Sequence, residues 1–297
     1  MAGMTVNAFW PEKYRPKTLA EMVMPDDARA CFEKMIKDGE IPHLLFAGNV
    51  GSGKTSLARI LVAALDCECL AINASEQRGI DVVREKILPF SQVQAFRRWK
   101  ICLLDEADSL TLDAQKSLRN MMEIYSSSTR FILTANHLDK IHDAIQSRCT
   151  LFSFQNVGRK AVRRFIEGIL LAENIKYDKE ILQRIVDDCY PDIRSTVKWI
   201  QIQSGTGVLN YVQHLDIYRE IVKAIKKKDY ETVRSLSQTA IDYTQALRYL
   251  YSDLAGETKD PAKAMIVIAE YMYRSSFIPD SEINFAACCV ELMGLLP

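Results

Sequence analysis

The chain has no apolar run approaching the ~20 consecutive residues that a membrane-spanning helix needs. Its start, Met1-Ala2-Gly3-Met4-Thr5-Val6-Asn7, carries neither a basic segment nor an apolar one, so no secretory leader is expected. The four histidines (His43, His137, His142, His214) form no ligand spacing, and the eight cysteines include no C-x-x-C, which argues against a zinc module. Scattered cysteines of this kind read as buried, reduced thiols of a cytoplasmic protein. Internal repeats and low-complexity tracts are absent. So is an excess of either charge: 38 Lys and Arg balance 38 Asp and Glu, so any face for a polyanion must be local. The remaining composition, 48% hydrophobic and 26% charged, is that of a globular protein, and 297 residues suggest two or three domains.

Against this background one string stands out. Gly48-Asn49-Val50-Gly51-Ser52-Gly53-Lys54-Thr55 fills G-x-x-x-x-G-K-[ST] without a mismatch. It follows the apolar run His43-Leu44-Leu45-Phe46-Ala47 and opens a helical pattern, Ser56-Leu57-Ala58-Arg59-Ile60-Leu61-Val62. Glycines let such a loop wrap a phosphate chain with its N–H groups turned inward, and the helix N-terminus adds partial positive charge. Gly51, Ser52, Gly53 and Ser56 belong to this cradle. Lys54 supplies a full charge near the terminal phosphates, and Thr55 a hydroxyl for Mg²⁺. The expected ligands are a nucleoside triphosphate and Mg²⁺.

A second apolar run, Ile101-Cys102-Leu103-Leu104, ends in Asp105-Glu106-Ala107-Asp108. A buried strand that delivers carboxylates at its C-terminal end puts them at the ligand edge of an α/β sheet. Asp105 is the candidate for Mg²⁺ and Glu106 for polarising the attacking water. Asn136, in Thr134-Ala135-Asn136 after the next strand, could orient that water, although an Asn in a turn is common. Arg148, in Ser147-Arg148-Cys149, and Arg194, in Pro191-Asp192-Ile193-Arg194, have the side chain suited to stabilising a transferring phosphoryl group; ordinary surface arginines are the alternative.

Short apolar runs at residues 44–47, 70–73, 101–104, 131–134 and 151–154, separated by helical periodicity, predict α/β architecture with a parallel five-stranded sheet buried on both faces. Beyond Phe154 the strands stop. Three helical patterns follow to about Ser204, broken at Glu173-Asn174 and Tyr190-Pro191-Asp192, and Ser204-Gly205-Thr206-Gly207 reads as a linker. The rest is helical, with breaks at residues 256–261 and 278–280, and the Lys226-Lys227-Lys228 run is assigned to a helix as a solvated face.

The segment Trp10-Pro11-Glu12-Lys13-Tyr14-Arg15-Pro16-Lys17-Thr18-Leu19 resembles the opening of replication factor C small subunits and of T-even-type phage clamp-loader ATPase subunits. The likeness continues through the P-loop, Asn73 to Arg84, the acidic strand, Leu112 to Arg119, the Ser-Arg-Cys triplet and the Arg194 helix, spanning about residues 9–204. It implies that the triphosphate is ATP, with an AAA+ P-loop ATPase domain at 1–156, a three-helix lid at 157–206 and an all-α collar for oligomerisation at 207–297. Pro11, Glu12, Lys13, Tyr14 and Val23 then resemble the adenine-side wall, and Arg194 the lid arginine that senses the γ-phosphate. Asn136 takes the sensor position on the sheet, and Arg148 an arginine finger acting on ATP held by the neighbouring subunit.

The same resemblance implies partners: further clamp-loader subunits in a hetero-oligomer of five, a sliding clamp, primer–template DNA, and DNA polymerase indirectly, with no membrane. Arg84 and Lys86, on the helix from Ile80, match positions that track the DNA backbone. Arg78 matches one that relays DNA contact to the catalytic glutamate, and Gln115 is a further coupling candidate. A solvated helix face is the alternative for all three basic residues. Phe90, Val93, Phe96 and Trp99 read either as a packed helix end or as a clamp-binding tip. A short collar and the Gly205 to Leu209 segment lean towards a phage source in the host cytoplasm. A DEAD-box helicase needs a second sheet domain that residues 155–297 lack, and a bacterial motor subunit a four-cysteine module. A silent scaffold subunit is opposed by the intact Lys54, Thr55, Asp105, Glu106 and Arg148.

Overall fold

The computed structural model describes residues 9–154, 157–210, 214–238, 243–275 and 277–296. The chain divides into two compact units between Tyr211 and Val212. In the first, five strands, β1 (Leu44–Ala47), β2 (Cys67–Asn73), β3 (Trp99–Asp105), β4 (Thr129–Ala135) and β5 (Thr150–Ser153), form a parallel sheet in the order β2-β3-β4-β1-β5. The register sets Asn73 beside Asp105 and Ala47 between Ala135 and Ser153. The strand C-termini therefore line up along one edge, where β1 runs into the P-loop.

Leu44 and Phe46 of β1 pack on one face with Phe32, Leu57 and Leu61, while Leu45 faces the opposite core with Leu104, Leu118 and Met122. This period-two alternation is hidden in the sequence because both faces are covered by helices. Burial on both faces holds for β1, β3 and β4 only. The edge strands β2 and β5 have exposed positions, Leu151 among them, because each lacks a neighbour on one side.

Between β2 and β3 the helix starting at Ile80 is not regular. A turn of α-helix, Ile80–Val82, runs into a π-helical stretch, Val83–Ile87, and resumes at Leu88–Gln92. Val83 and Ile87 anchor it in the core, while Arg84 and Lys86 are exposed. Lys100 of β3 is only 2% exposed, and its ammonium donates to the carbonyls of Phe90 (2.7 Å) and Val93, closing the helix end.

Helices Arg159–Ala172, Lys179–Cys189 and Ile193–Gln203 form a small bundle around Val162, Ile166, Leu182, Val186 and Ile200. The side chains of Asp178 and Asp192 cap the second and third helices. Trp10 is buried in this same cluster, and its backbone N–H donates to Gln201 (2.9 Å), so the amino-terminal strap packs on the bundle. The linker expected at Ser204–Gly207 is instead a turn inside the first unit. Val208 bridges to Lys176, Leu209 donates to the Lys176 carbonyl (2.7 Å), and its buried side chain joins the bundle core. The compact unit thus runs to residue 211 rather than ending at 206.

The second unit contains helices His214–Lys226, Tyr230–Ser237, Tyr243–Asp253, Pro261–Arg274 and Ser281–Leu295, packed around Ile221, Ile225, Leu247, Leu250, Ile268, Phe285 and Leu292. The lysine run is not helical throughout. The helix ends at Lys226, and Lys228 takes a left-handed φ of 57° before Asp229 caps the next helix. Among the described residues no helix is long and apolar enough to cross a membrane.

Candidate active site

A cleft at the C-terminal edge of the sheet is lined by the P-loop, the acidic strand end, the strap and the third bundle helix. Gly51 and Gly53 take φ values of 72° and 99°, which permit the loop to curl with its amides inward. The Lys54 ammonium is folded back, donating to the carbonyls of Gly48 (2.9 Å) and Asn49 (2.7 Å) and to Asn136 Oδ1 (2.9 Å). Burial lowers its pKa below the ordinary lysine value, while Asp105, Asp108, Glu106 and Asp192 pull it back up. A desolvated cation wrapped by its own loop is suited to exchanging carbonyls for phosphate oxygens. The buried hydroxyl of Ser52 has no hydrogen-bond partner, as a loop built around an anion would leave it.

Thr55 Oγ1 donates to Asp105 Oδ1 (2.8 Å), and Thr134 Oγ1 donates to the same oxygen (2.5 Å). A hydroxyl and a carboxylate converging beside the P-loop are hard oxygen donors fit for Mg²⁺. Thr134 also accepts from the backbone N–H of Glu106 (3.0 Å), and Glu106 itself has φ 55°, ψ 43°. A non-glycine residue in that region carries strain, and here it turns the Glu106 side chain out of the strand direction into the cleft. Thr134 is a site residue that sequence reading passed over: a threonine inside an apolar strand carries no local signal.

The strap supplies Pro11, Glu12 and Tyr14 to the cleft wall, with Val23 beyond them. Lys13 points elsewhere, pairing with Glu173 (2.6 Å), which also accepts from Tyr14 (2.5 Å). Arg194 lies in the cleft, 3.4 Å from Glu12 Oε1, and Arg15 approaches the other oxygen of Glu12 at 3.4 Å. Asp192, which also went unremarked, reaches the P-loop. A Cβ added at Gly51 would stand 1.8 Å from its Oδ1.

Arg148 does not line the cleft. Its guanidinium is held on the surface by the Ala144 carbonyl (2.6 Å) and by Glu123. Arg78, Arg84 and Lys86 are likewise outside it; Arg78 donates to the Ser75 carbonyl (2.9 Å) and Lys86 to Gln77 (2.7 Å). Gln115 is buried and joins three segments, donating to Leu110 (3.2 Å) and Lys140 (3.0 Å) and accepting from His142 (2.8 Å). Of the aromatic cluster, Phe90 and Trp99 are partly packed, whereas Val93 is exposed and Phe96 is 94% exposed. The cysteines are free, and burial pushes Cys149, Cys189 and Cys288 up to about 12, which leaves their thiols protonated and inert.

Residues 44–156 match the family described as ATPase family associated with various cellular activities (AAA). The replication factor C small subunit of Staphylothermus marinus is 42% identical over 311 residues, covering 96% of this chain and 94% of its own. The chain belongs to the replication factor C small-subunit family. Its counterparts in Aeropyrum pernix (35% identical; 94% of this chain, 93% of the other) and Sulfurisphaera tokodaii (34%; 95% and 94%) match over similar lengths. Among solved structures, the RuvB Holliday junction branch migration motor of Thermotoga maritima superposes with a TM-score of 0.54 at 15% identity, covering 72% of this chain and 80% of that one, a likeness of fold alone. As a member of this family the chain is a nucleotide-binding AAA ATPase.

Proposed function

We propose that the chain is an ATPase subunit of a clamp loader, which opens a sliding clamp and sets it on primer–template DNA. The observation that carries this reading is the likeness to replication factor C small subunits through the helical carboxy-terminal unit as well as the ATPase domain. Lys54, Thr55 and Asp105 would hold the triphosphate and Mg²⁺, with Gly51, Ser52, Gly53 and Ser56 shaping the cradle. Bound there, the ion neutralises phosphate charge. Glu106 is the base that polarises the attacking water, and Asn136 shares its amide oxygen with Lys54 in readiness to orient that water. Arg194 senses the γ-phosphate from the lid, while Pro11, Glu12, Tyr14 and Val23 wall the adenine side.

Arg148 acts in trans. Its absence from its own cleft fits a finger that completes the site of the adjacent subunit, so that nucleotide joins subunits in a hetero-oligomer, a pentamer with a helical collar. Arg78, Arg84 and Lys86 present charge without base readout, which suits a duplex gripped by several subunits at once. The exposed Val93 and Phe96 suit the clamp contact.

The test is ATP turnover by the assembled complex with and without primed DNA plus clamp. Stimulation by the two together is expected, and a rate indifferent to both refutes the reading.

A further inference from the structure

An arginine serving another subunit's active site faces a difficulty of its own. Its side chain is long and rotatable, and at an exposed position nothing from the receiving site holds it before the subunits meet. Stabilisation of a transition state depends on donors already aimed at the developing charge. Arg148 has such an arrangement built into its own chain. Nη1 donates to the Ala144 carbonyl (2.6 Å) and approaches Ser147 Oγ (3.4 Å), while Nη2 donates to Glu123 Oε1. Ala144 and Ser147 belong to the same short turn as Arg148, so they restrain the guanidinium only relative to that turn. Glu123 comes from elsewhere, in the last turn of helix Leu112–Ile124, whose Leu118, Met121 and Met122 are buried in the core behind β3 and β4.

We infer that Glu123 is a positioning residue for hydrolysis in the neighbouring subunit: it holds the Arg148 guanidinium in the orientation from which it meets the transferred phosphoryl group. The inference rests on the proposed trans role of Arg148. Two anchors on the terminal nitrogens leave the Nε–H and one Nη2–H without partners among the described residues. Those hydrogens remain for phosphate oxygens without surrender of either anchor. Glu123 also ties the finger to the helix that carries Gln115, which is bonded to the turn before Arg148 through His142. A shift of that helix therefore moves both the guanidinium and the turn it stands on.

The test compares Glu123→Ala, Glu123→Gln and Arg148→Ala in the assembled complex. Glu123→Ala is expected to lower kcat on the order of 10-fold with ATP KM within about two-fold. Glu123→Gln keeps an acceptor oxygen at the same reach and is expected to recover most of the rate. In the Arg148→Ala background, Glu123→Ala is expected to add nothing. A readout independent of turnover is the guanidinium itself: the Arg148 Nη–H resonances of the purified chain, kept distinct by hindered rotation, are expected to coalesce in Glu123→Ala. Hydrolysis that collapses in Arg148→Ala yet is unchanged or faster in Glu123→Ala overturns this inference alone. Hydrolysis that survives Arg148→Ala overturns the trans reading and this inference with it.

Discussion

Replacing Gly51 by alanine perturbs the P-loop and the lid in one step. The glycine has φ 72°, and an added Cβ would lie 1.8 Å from Asp192 Oδ1 and 2.5 Å from its Cγ, so the carboxyl must leave. Asp192 accepts from the backbone N–H of Ser195 (2.9 Å) and from its hydroxyl (2.8 Å), and thereby caps helix Ile193–Gln203, which carries Arg194. Alanine in the left-handed region costs about 1–2 kcal/mol, and loss of the cap about 1 kcal/mol, for a total of roughly 2–3 kcal/mol. All three tryptophans, Trp10, Trp99 and Trp199, lie in the first unit, so their fluorescence in urea reports on that unit alone. A midpoint lowered by roughly 1 M is expected at an m of about 2–3 kcal/mol/M. In an Asp192→Ala background the cap is already gone, and Gly51→Ala should cost only its backbone share. The coupling between the two changes is then about 1 kcal/mol. If Gly51→Ala costs the same with and without Asp192, the carboxyl is not what the loop meets, and the reasoning fails.

Two further outcomes follow from other groups. His43 Nδ1 accepts from the Phe131 N–H (3.1 Å), and burial, reinforced by Arg130, lowers its pKa from the ordinary 6.5 to about 4. The unfolded chain takes up the proton first, so this stabilisation is complete above pH 6.5 and is lost as pH falls towards 4, up to about 3 kcal/mol; the difference in urea stability between parent and His43→Gln should shrink across that window, and a constant difference refutes it. Glu12 pairs with Arg194 in the cleft wall, and under the proposed role of Arg194 this pair competes with a γ-phosphate. Because exposed pairs contribute only about 0.2–1 kcal/mol, Glu12→Gln should tighten ATP by about 1.4- to five-fold and leave ADP unchanged by titration calorimetry; equal tightening of both would point to bulk charge instead.

The lining of the candidate site was legible where phosphate chemistry demands contiguous residues. A loop that wraps a triphosphate must place Gly51, Gly53, Lys54 and Thr55 in one unbroken string, and a strand that ends at the ligand edge must end in its acids, as Asp105 and Glu106 do. Thr134 and Asp192 were invisible for the opposite reason. Their roles arise from contacts 29 residues away in the case of Thr134 with Asp105, and from the lid folding over Gly51 in the case of Asp192. The linker was misjudged because Gly205 and Gly207 announce a turn, while nothing local announces that Leu209 will be buried against the bundle. The helical end at Lys226 was missed because Lys228 adopts a left-handed φ that glycine or asparagine usually signals.

The strap gives the cleft a property that its motifs do not suggest. Trp10 is buried among lid side chains and hydrogen-bonded to Gln201, and Lys13 and Tyr14 close on Glu173 at the end of the first lid helix. Just beyond them, Arg15 Nε reaches Ser56 Oγ (3.4 Å) on the P-loop helix. The strap therefore packs on the lid, and Arg15 at its end links it to the P-loop helix through one hydrogen bond. Under the proposed function a nucleotide in the cleft would meet the strap and Arg194, which touch through Glu12, as well as the P-loop. On that proposal, loss of the γ-phosphate would remove the partner of Arg194 while leaving the strap contacts in place, so the lid would report phosphate number through Arg194 and not through Trp10 or Tyr14.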